Sequence, residues 1–149
     1  MDTPAADPRL NLIAPDPDVL FDRAIGDTYI RYAQMLNQRG YVQSSLGNMV
    51  IRAAHPNYPD GLCYVKPQGL SLEEATVDDL VITDIPHGAI VHGSRATTVG
   101  HQMNREILRL RPDIHCVIHL HHDETIAFLA AGFDEIRSTS LTFSYLMQK

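Results

Sequence analysis

Residues 114–122, with the sequence IHCVIHLHH, constrain the fold more than any other stretch of the chain. They place four histidines within a run of otherwise apolar side chains. In an extended strand, successive side chains point to opposite faces of the sheet. One face would then carry the isoleucines, the cysteine and the leucine, and the other would carry His115, His119 and His121. The run therefore predicts a strand that ends in two histidines pointing the same way.

Periodic apolar residues predict three helices. Between Asp16-Pro17, a typical helix start, and Gly40, a typical helix end, apolar side chains recur every three or four residues. A second helix is expected after Thr98, whose hydroxyl can cap it, and a third over residues 123–132. Four residues at helical spacing would form the apolar face of the second helix: Val99, Met103, Ile107 and Leu110.

Strand-like segments alternate with these helices. The turn-rich residues 55–61 predict a hairpin whose second strand is LCYVK at 62–66. Two more strands, LVITDI at 80–85 and AIVHG at 89–93, flank a Pro-His-Gly loop. The order helix, antiparallel strands, helix, strand, helix predicts an α/β fold, a single domain whose central, mostly antiparallel sheet is covered by helices.

Composition limits the class of protein. The 149 residues are 44% hydrophobic and 20% charged, with a formal net charge of −6, which is typical of a soluble globular domain and argues against nucleic acid or an anionic membrane as a partner. No apolar run approaches the roughly 20 residues that would span a bilayer. Both cysteines lie in predicted strands and no signal-peptide pattern opens the chain, so a cytoplasmic location is expected. Residues 1–16 are expected to form a flexible arm before a domain over residues 17–149.

His119 and His121 have the spacing of a metal-binding pair. Two imidazoles two residues apart on a strand point the same way, and their neutral nitrogens can chelate one divalent ion if other ligands come from elsewhere. His115 would lie about 13 Å away along the same strand, too far to share that ion. A strand end that carries histidines only because it faces water would show the same pattern, so the pair by itself leaves both interpretations open.

Four segments, in order along the chain, resemble the class II aldolase/adducin family. They are SLGNMVIR at 45–52, YVKPQGLSLEEATVDDLVITDI at 64–85, HGSRATTV at 92–99 and RPDIHCVIHLHH at 111–122. In that family an Arg-Pro-Asp corner leads into a strand that ends in the H-x-H metal pair. The resemblance extends over roughly residues 18–147 and implies the family's fold.

The resemblance also implies a role for each matching position. His119 and His121 match two of the family's three metal histidines, with Zn²⁺ as the expected ion and Fe²⁺ as the alternative. Lys66 and Arg52 could add positive charge to the same site. Three pairs of residues match the loops that hold the phosphate or carboxylate of a small-molecule substrate: Gly47 and Asn48, Gln68 and Gly69, and Thr97 and Thr98. A turn glycine at Gly69 and a helix cap at Thr98 are simpler interpretations of two of them.

Three departures separate this chain from the family's pattern. The acid/base glutamate of the aldolases corresponds to Gly100, which cannot transfer a proton. The adjacent His101 is therefore the candidate catalytic residue, and it is also preferred as third metal ligand over Asp123 and Glu124. A histidine of many members corresponds to Asn104. The family's third metal histidine lies some tens of residues beyond H-x-H, so its usual place is not within these 149 residues.

The resemblance implies a metal-dependent enzyme acting on a small hydroxy-carbonyl or 2-oxo-acid substrate. The ion would serve as a Lewis acid for carbon–carbon cleavage through a metal-bound enediolate. The loss of the glutamate leads to a second hypothesis, a non-haem Fe(II) oxygenase of an aromatic 2-oxo or 2-hydroxy acid that uses the same histidines. A third hypothesis is a non-catalytic, adducin-like assembly module. A homo-oligomer, with four subunits expected, follows because family members build their sites at subunit junctions.

Overall fold

The sheet consists of five short strands, each antiparallel to its neighbours. The computed structural model describes residues 19–133 and 135. The strands run in the order β4-β3-β2-β1-β5 across the sheet. Their bounds are β1 (Asn48–His55), β2 (Tyr58–Val65), β3 (Val81–Asp84), β4 (Ile90–His92) and β5 (Cys116–His119). The predicted hairpin is confirmed as β1–β2, although Pro59 and Gly61 lie within β2 instead of the turn.

The helices are α1 (Arg23–Gln38), α2 (His101–Leu110) and α3 (Asp123–Ala130), with one turn of 3₁₀ helix at Val77–Asp79. Asp22 caps α1, since its Oδ1 accepts a hydrogen bond of 2.8 Å from the backbone N–H of Ala24. The predicted start at Asp16-Pro17 and the predicted arm over residues 1–16 lie outside the described residues. None of the helices in the described part of the chain is long and apolar enough to cross a membrane.

Side-chain alternation along the strands gives the sheet two buried faces. Met49, Leu62 and Ile82 lie on one face and pack in a cluster that includes Ile25 and Tyr29 of α1. Their strand neighbours point the other way and form a second cluster with Leu108 of α2: Val50, Cys63, Val65 and Val81. The predicted fold class is therefore confirmed: an antiparallel sheet covered by helices in one small α/β domain.

The buried face of α2 is not the predicted one. The residues that point to the sheet are His101, Asn104 and Leu108, which are 4%, 0% and 0% exposed. Burial of the two polar side chains is tolerated because each has a partner: His101 Nε2 lies 2.8 Å from Thr83 Oγ1, and Asn104 bonds Asn48. Three of the four residues expected on the apolar face are exposed instead: Val99, Met103 and Leu110. Hydrophobic spacing was misleading here, because α2 buries two polar side chains that each make one contact with a polar group of the sheet.

Candidate metal and anion site

A cavity of about 480 Å³ opens where β1 begins, β2 ends, α2 begins and β5 ends. The β1–β2 hairpin, α2 and β5 come from separate parts of the sequence. The sheet order places β1 between β2 and β5. The cavity brings together most of the residues to which the sequence analysis assigned a role. Its lining consists of Ser45, Leu46, Gly47, Asn48, Lys66, Gln68, Gly69, Thr98, Val99, Gly100, His119 and His121.

His119 and His121 meet at this cavity. His119 is the last residue of β5 and lies opposite Asn48 of β1 in the antiparallel register. His121 lies beyond the strand, yet the two imidazole centroids are 4.9 Å apart. His115 does not line the cavity, and the Nδ1 of His122 lies 3.1 Å from Thr125 Oγ1 instead. The sequence spacing thus selected the pair of histidines that the structure brings together.

The two imidazoles fit a divalent ion as part of a ligand set. Neutral imidazole nitrogen is a common ligand of Zn²⁺ and Fe²⁺. The described residues contain no group of three His, Cys, Asp or Glu side chains that could hold a metal. Asp123 instead accepts a hydrogen bond from Gln43 at 3.3 Å, and Glu124 lies 3.4 Å from His122 Nδ1. A complete coordination sphere therefore needs a ligand in addition to this pair.

The structure does not bring His101 to the histidine pair. Its Nε2 contacts Thr83 Oγ1 at 2.8 Å, and its Nδ1 has no hydrogen-bond partner among the described residues. The side chain borders a separate cavity of about 290 Å³. Burial, with a smaller contribution from the nearby Arg105 guanidinium, lowers the pKa of His101 to about 4. This position does not favour His101 as the proton carrier or as the third ligand, because both roles need contact with the cavity.

Lys66 is a buried cation at the cavity wall. It is 1% exposed, and its Nζ donates to the carbonyls of Leu70 at 2.6 Å and Ser45 at 3.3 Å. Burial lowers the pKa of Lys66. No carboxylate within the described residues lies within ion-pair distance of its Nζ. A buried ammonium without a carboxylate partner favours the binding of an anion.

Gly47 and Asn48 form the floor of the cavity beside β5. Gly47 has φ of +73°, and a Cβ there would lie 3.1 Å from the carbonyl oxygen of His119, so the close approach of the two segments requires glycine. Asn48 is 3% exposed. Its Oδ1 accepts from Asn104 Nδ2, and its Nδ2 lies 3.1 Å from His119 Nδ1. The side chain of Asn48 thus bonds other side chains of the protein, whereas the family resemblance implied that it holds the substrate anion.

The remaining predicted residues lie in three places. Gln68, Gly69 and Thr98 line the cavity with the histidine pair. Thr97 lines the separate cavity that His101 borders. Arg52 lies elsewhere, because its guanidinium donates to backbone carbonyls near the end of α2 and in the β1–β2 region. Thr98 is not the cap of α2, since the capping position belongs to Gly100.

Lys66 was expected from the sequence only to be able to add charge at the site, and Asn104 had no predicted role there. Lys66 directly follows the four buried residues LCYV, Leu62 to Val65, at the end of β2. A lysine in line with a fully buried strand is the signal that could have identified it, because solvated lysines rarely sit there. Asn104 gives no such signal, since an asparagine inside an amphipathic helix usually faces water.

Comparisons with known proteins concern the family and the fold of this chain. The family model "Class II Aldolase and Adducin N-terminal domain" matches residues 28–147. The L-fuculose phosphate aldolase of Methanococcus maripaludis is 32% identical over 102 residues, which are 68% of this chain and 52% of that protein. That of Methanococcus vannielii is 30% identical over 100 residues, 67% of this chain and 50% of the other. The chain thus spans about half the length of the relatives it matches.

Solved structures share the fold. The L-fuculose-1-phosphate aldolase from Thermus thermophilus superposes with a TM-score of 0.65 and 19% identity, covering 83% of this chain and 60% of that one. A second L-fuculose 1-phosphate aldolase gives a TM-score of 0.64 and 22% identity, covering 72% of this chain and 49% of the other. At these identities the likeness concerns the fold, and the site has to be argued from its own residues.

Proposed function

The chain belongs to the class II aldolase and adducin family, and on that premise we propose that it is the metal-binding part of a lyase. The substrate class is a small, anionic hydroxy-carbonyl compound, cleaved at a carbon–carbon bond. One observation carries the proposal: two imidazoles and a buried lysine without a carboxylate partner in the described structure meet at one cavity. Zn²⁺ is the expected ion and Fe²⁺ the alternative.

His119 and His121 would hold the ion, together with a ligand from outside the described residues. When bound, the ion would supply Lewis-acid polarisation of adjacent substrate oxygens. The position of His121 beyond the regular strand leaves its ring exposed, whereas β1 fixes the backbone of His119 through antiparallel pairing. His119 would thus orient the site, and His121 would complete the pair at its open side.

Lys66 would bind the charged end of the substrate. Its ammonium has three N–H donors, and two of them go to the carbonyls of Ser45 and Leu70. The third is then available for a phosphate or carboxylate oxygen. Gly47 and Gly69 line the same wall without side chains that would keep an anion away from the backbone. Gln68 and Thr98 would add polar contacts from the rim.

The metal part of the proposal is tested by Zn²⁺ titration calorimetry on the purified 149-residue chain. His119→Ala and His121→Ala should each reduce Zn²⁺ affinity by at least about tenfold, since each removes a direct ligand. His115→Ala and His122→Ala are the matched controls and should leave affinity unchanged. Equal losses in all four variants would contradict the assignment of the pair.

The proposed binding of an anion is tested separately, by measuring the affinity for inorganic phosphate and for L-fuculose 1-phosphate, the compound that appears in the names of the similar aldolases. Lys66→Met keeps the length of the side chain and removes its charge. It should weaken binding of both compounds by about tenfold or more, because a charge-assisted hydrogen bond contributes about 1.5–3 kcal/mol. Zn²⁺ affinity should not change. Unaltered phosphate binding in the variant would contradict the assignment of Lys66 to the anion site. Release of a carbonyl product from L-fuculose 1-phosphate by the wild-type protein would establish lyase activity.

A second candidate function uses the same pair for oxygen chemistry. No carboxylate lines the described part of the cavity, where Gly100 is the residue that the resemblance matches to the acid/base glutamate of the aldolases. A non-haem Fe(II) oxygenase would not use that glutamate as a proton carrier, but its iron would need a carboxylate ligand from outside the described residues. Elemental analysis of protein purified without added metal separates the two candidates: zinc supports the lyase, whereas iron together with substrate-dependent oxygen uptake supports the oxygenase. Absence of both metals would support the assembly module.

The proposal includes self-association, with a homotetramer expected. Apolar side chains with no cover in the described structure include Val99, Leu110, Leu129 and Phe133, which are 83%, 62%, 54% and 57% exposed. Such side chains are typical of surfaces that meet another subunit. Sedimentation velocity at micromolar concentration provides the test, and a monomer would contradict this part. A reducing, cytoplasmic location is proposed from the two free cysteines, Cys63 and Cys116.

A further inference from the structure

A second cavity, of about 290 Å³, borders the loop that precedes α2. Thr98 and Val99 of this loop line both cavities, so the two are neighbours, whereas the histidine pair and Lys66 line only the first. The side chains that line the second cavity alone are all polar, and in the described part of the chain none of them is a carboxylate. They are His87, Thr97, His101, Gln102 and Arg105.

Arg105 gives the second cavity a half-buried cation. Its Nη1 donates a hydrogen bond of 2.7 Å to the carbonyl oxygen of Ile85, which holds the guanidinium at the wall. Its Nε and Nη2 groups make no hydrogen bond to the described residues, and they form the edge with which arginine binds a phosphate through two parallel hydrogen bonds. A Cβ at Gly88 would lie 2.7 Å from Arg105 Cζ, so glycine there leaves space beside the guanidinium. The guanidinium is thus held by the protein and still has donors for a ligand.

The acidic residues next to Arg105 in the structure have other partners. Asp84, the last residue of β3, accepts hydrogen bonds of 3.3 Å and 2.6 Å from backbone N–H groups of the loop that follows, and it does not line the cavity. Glu106, the next residue of α2, forms an ion pair of 2.5 Å with Arg109. No carboxylate of the described residues lies within ion-pair distance of Arg105. Its charge therefore favours an anionic ligand in the cavity.

His101 adds a buried polar atom that the protein leaves without a partner. The side chain is 4% exposed and lines the second cavity. Its Nε2 lies 2.8 Å from Thr83 Oγ1, and its Nδ1 is buried with no hydrogen-bond partner among the described residues. Buried polar atoms are normally satisfied, so such an atom at a cavity wall is a site for a ligand atom or an ordered water. Phosphate near neutral pH has both oxygen acceptors and an O–H group, so it can bond Nδ1 whether or not this nitrogen carries the ring proton.

We propose that the second cavity binds a phosphate group, independently of the metal and anion site of the proposed function. The Nε and Nη2 groups of Arg105 bind two of its oxygens, and His101 Nδ1 contacts it from the buried side. Gln102 and His87, which are exposed at the rim, add polar contacts from the solvent side. The volume of about 290 Å³ leaves room for such an ion together with water. The inference requires neither a metal at the histidine pair nor lyase activity.

Titration of the full chain with inorganic phosphate, followed by ¹H–¹⁵N NMR, separates the two cavities. The backbone amide of Gly88 and the Nε–H of Arg105 report on the second cavity, and the backbone amide of Gly69 reports on the first. Phosphate should shift the signals of Gly88 and Arg105 along a saturable curve. Lys66→Met should weaken the response of Gly69 and leave the other two unchanged. Loss of all three responses in that variant, or no saturable response of Gly88 in wild type, would overturn the proposal, and the second result would leave the proposed function intact.

Arg105→Met tests the residue that carries the charge. It should weaken phosphate binding at Gly88 by about tenfold or more, the effect expected when a charged hydrogen-bonding partner is lost. Arg109→Met is the matched control, because Arg109 lies on the same helix, pairs with Glu106 and lines neither cavity. It should leave the responses at both cavities unchanged. Unaltered phosphate binding in Arg105→Met would contradict the proposal.

A second pair of variants leaves the buried residues untouched. Gln102→Glu places a negative charge at the rim of the second cavity, at an exposed position, and should weaken phosphate binding there by about tenfold. Met103→Glu adds the same charge to the same helical turn, at an exposed position that lines neither cavity, and should weaken it by less than about twofold. Equal losses in the two variants would show only a general effect of charge and would overturn the assignment of the ion to this cavity.

Discussion

Acidification should destabilise this domain through His101 more than through an ordinary histidine. Burial, followed by repulsion from Arg105 on the same helix, lowers the pKa of His101 from 6.5 to about 4. The side chain is 4% exposed, and its ring contacts the buried hydroxyl of Thr83 on β3. The unfolded chain therefore binds a proton at this residue over a pH range in which the folded chain does not. The stability that the neutral, buried His101 contributes is fully present above pH 6.5, the pKa of the residue in the unfolded chain. It is lost as the pH falls from 6.5 toward 4.

The magnitude follows from the two pKa values. Each pH unit between them corresponds to about 1.4 kcal/mol. The whole difference amounts to about 3 kcal/mol, and about 2 kcal/mol of it should be lost between pH 7 and pH 5. That is a substantial part of the roughly 5–15 kcal/mol that stabilises a typical domain.

Urea unfolding of wild type and His101→Asn, each at pH 7 and at pH 5, isolates this contribution. Asparagine keeps a polar contact with Thr83 and does not titrate. The stability lost between the two pH values should be about 2 kcal/mol larger in wild type than in the variant, since the other histidines contribute equally to both. An identical pH dependence of the two proteins would refute the assignment of a lowered pKa to a buried, neutral His101.

Three further outcomes test the packing. Leu108→Ala should lower the free energy of unfolding by about 2–5 kcal/mol, whereas Gln102→Ala, at an exposed position of the same helix, should change it by less than about 0.5 kcal/mol. Arg52→Lys should destabilise the protein in thermal unfolding almost as much as Arg52→Ala, because a lysine cannot reproduce the guanidinium's bonds to several carbonyls. Iodoacetamide in native buffer should label Cys116, which is exposed, while buried Cys63, whose pKa is raised to about 12, should react only after denaturation, as followed by mass spectrometry.

Local patterns were sufficient for most of the elements. The β1–β2 hairpin, the end of α1 before Gly40 and the extent of α3 all follow from residues a few positions apart. The pairing of His119 with His121 also follows from local geometry, since two residues along an extended chain bring side chains to one side. Proline and glycine predicted the start of β2 less well, because Pro59 and Gly61 lie within the strand and not in the turn before it.

Only the tertiary structure decided which polar groups are buried. Asn48 bonds Asn104, 56 positions away, and contacts His119, 71 positions away. His101 is buried because Thr83 of β3 faces it, and Lys66 is buried because the carbonyls of Ser45 and Leu70 accept its protons. Hydrophobic periodicity measures the preference of each side chain for water, so it assigned the exposed Val99 to the apolar face of the second helix and did not identify Asn104 as buried. A buried polar group is stable only when a partner from another part of the chain satisfies it, and that partner becomes known only when the strands and helices are assembled.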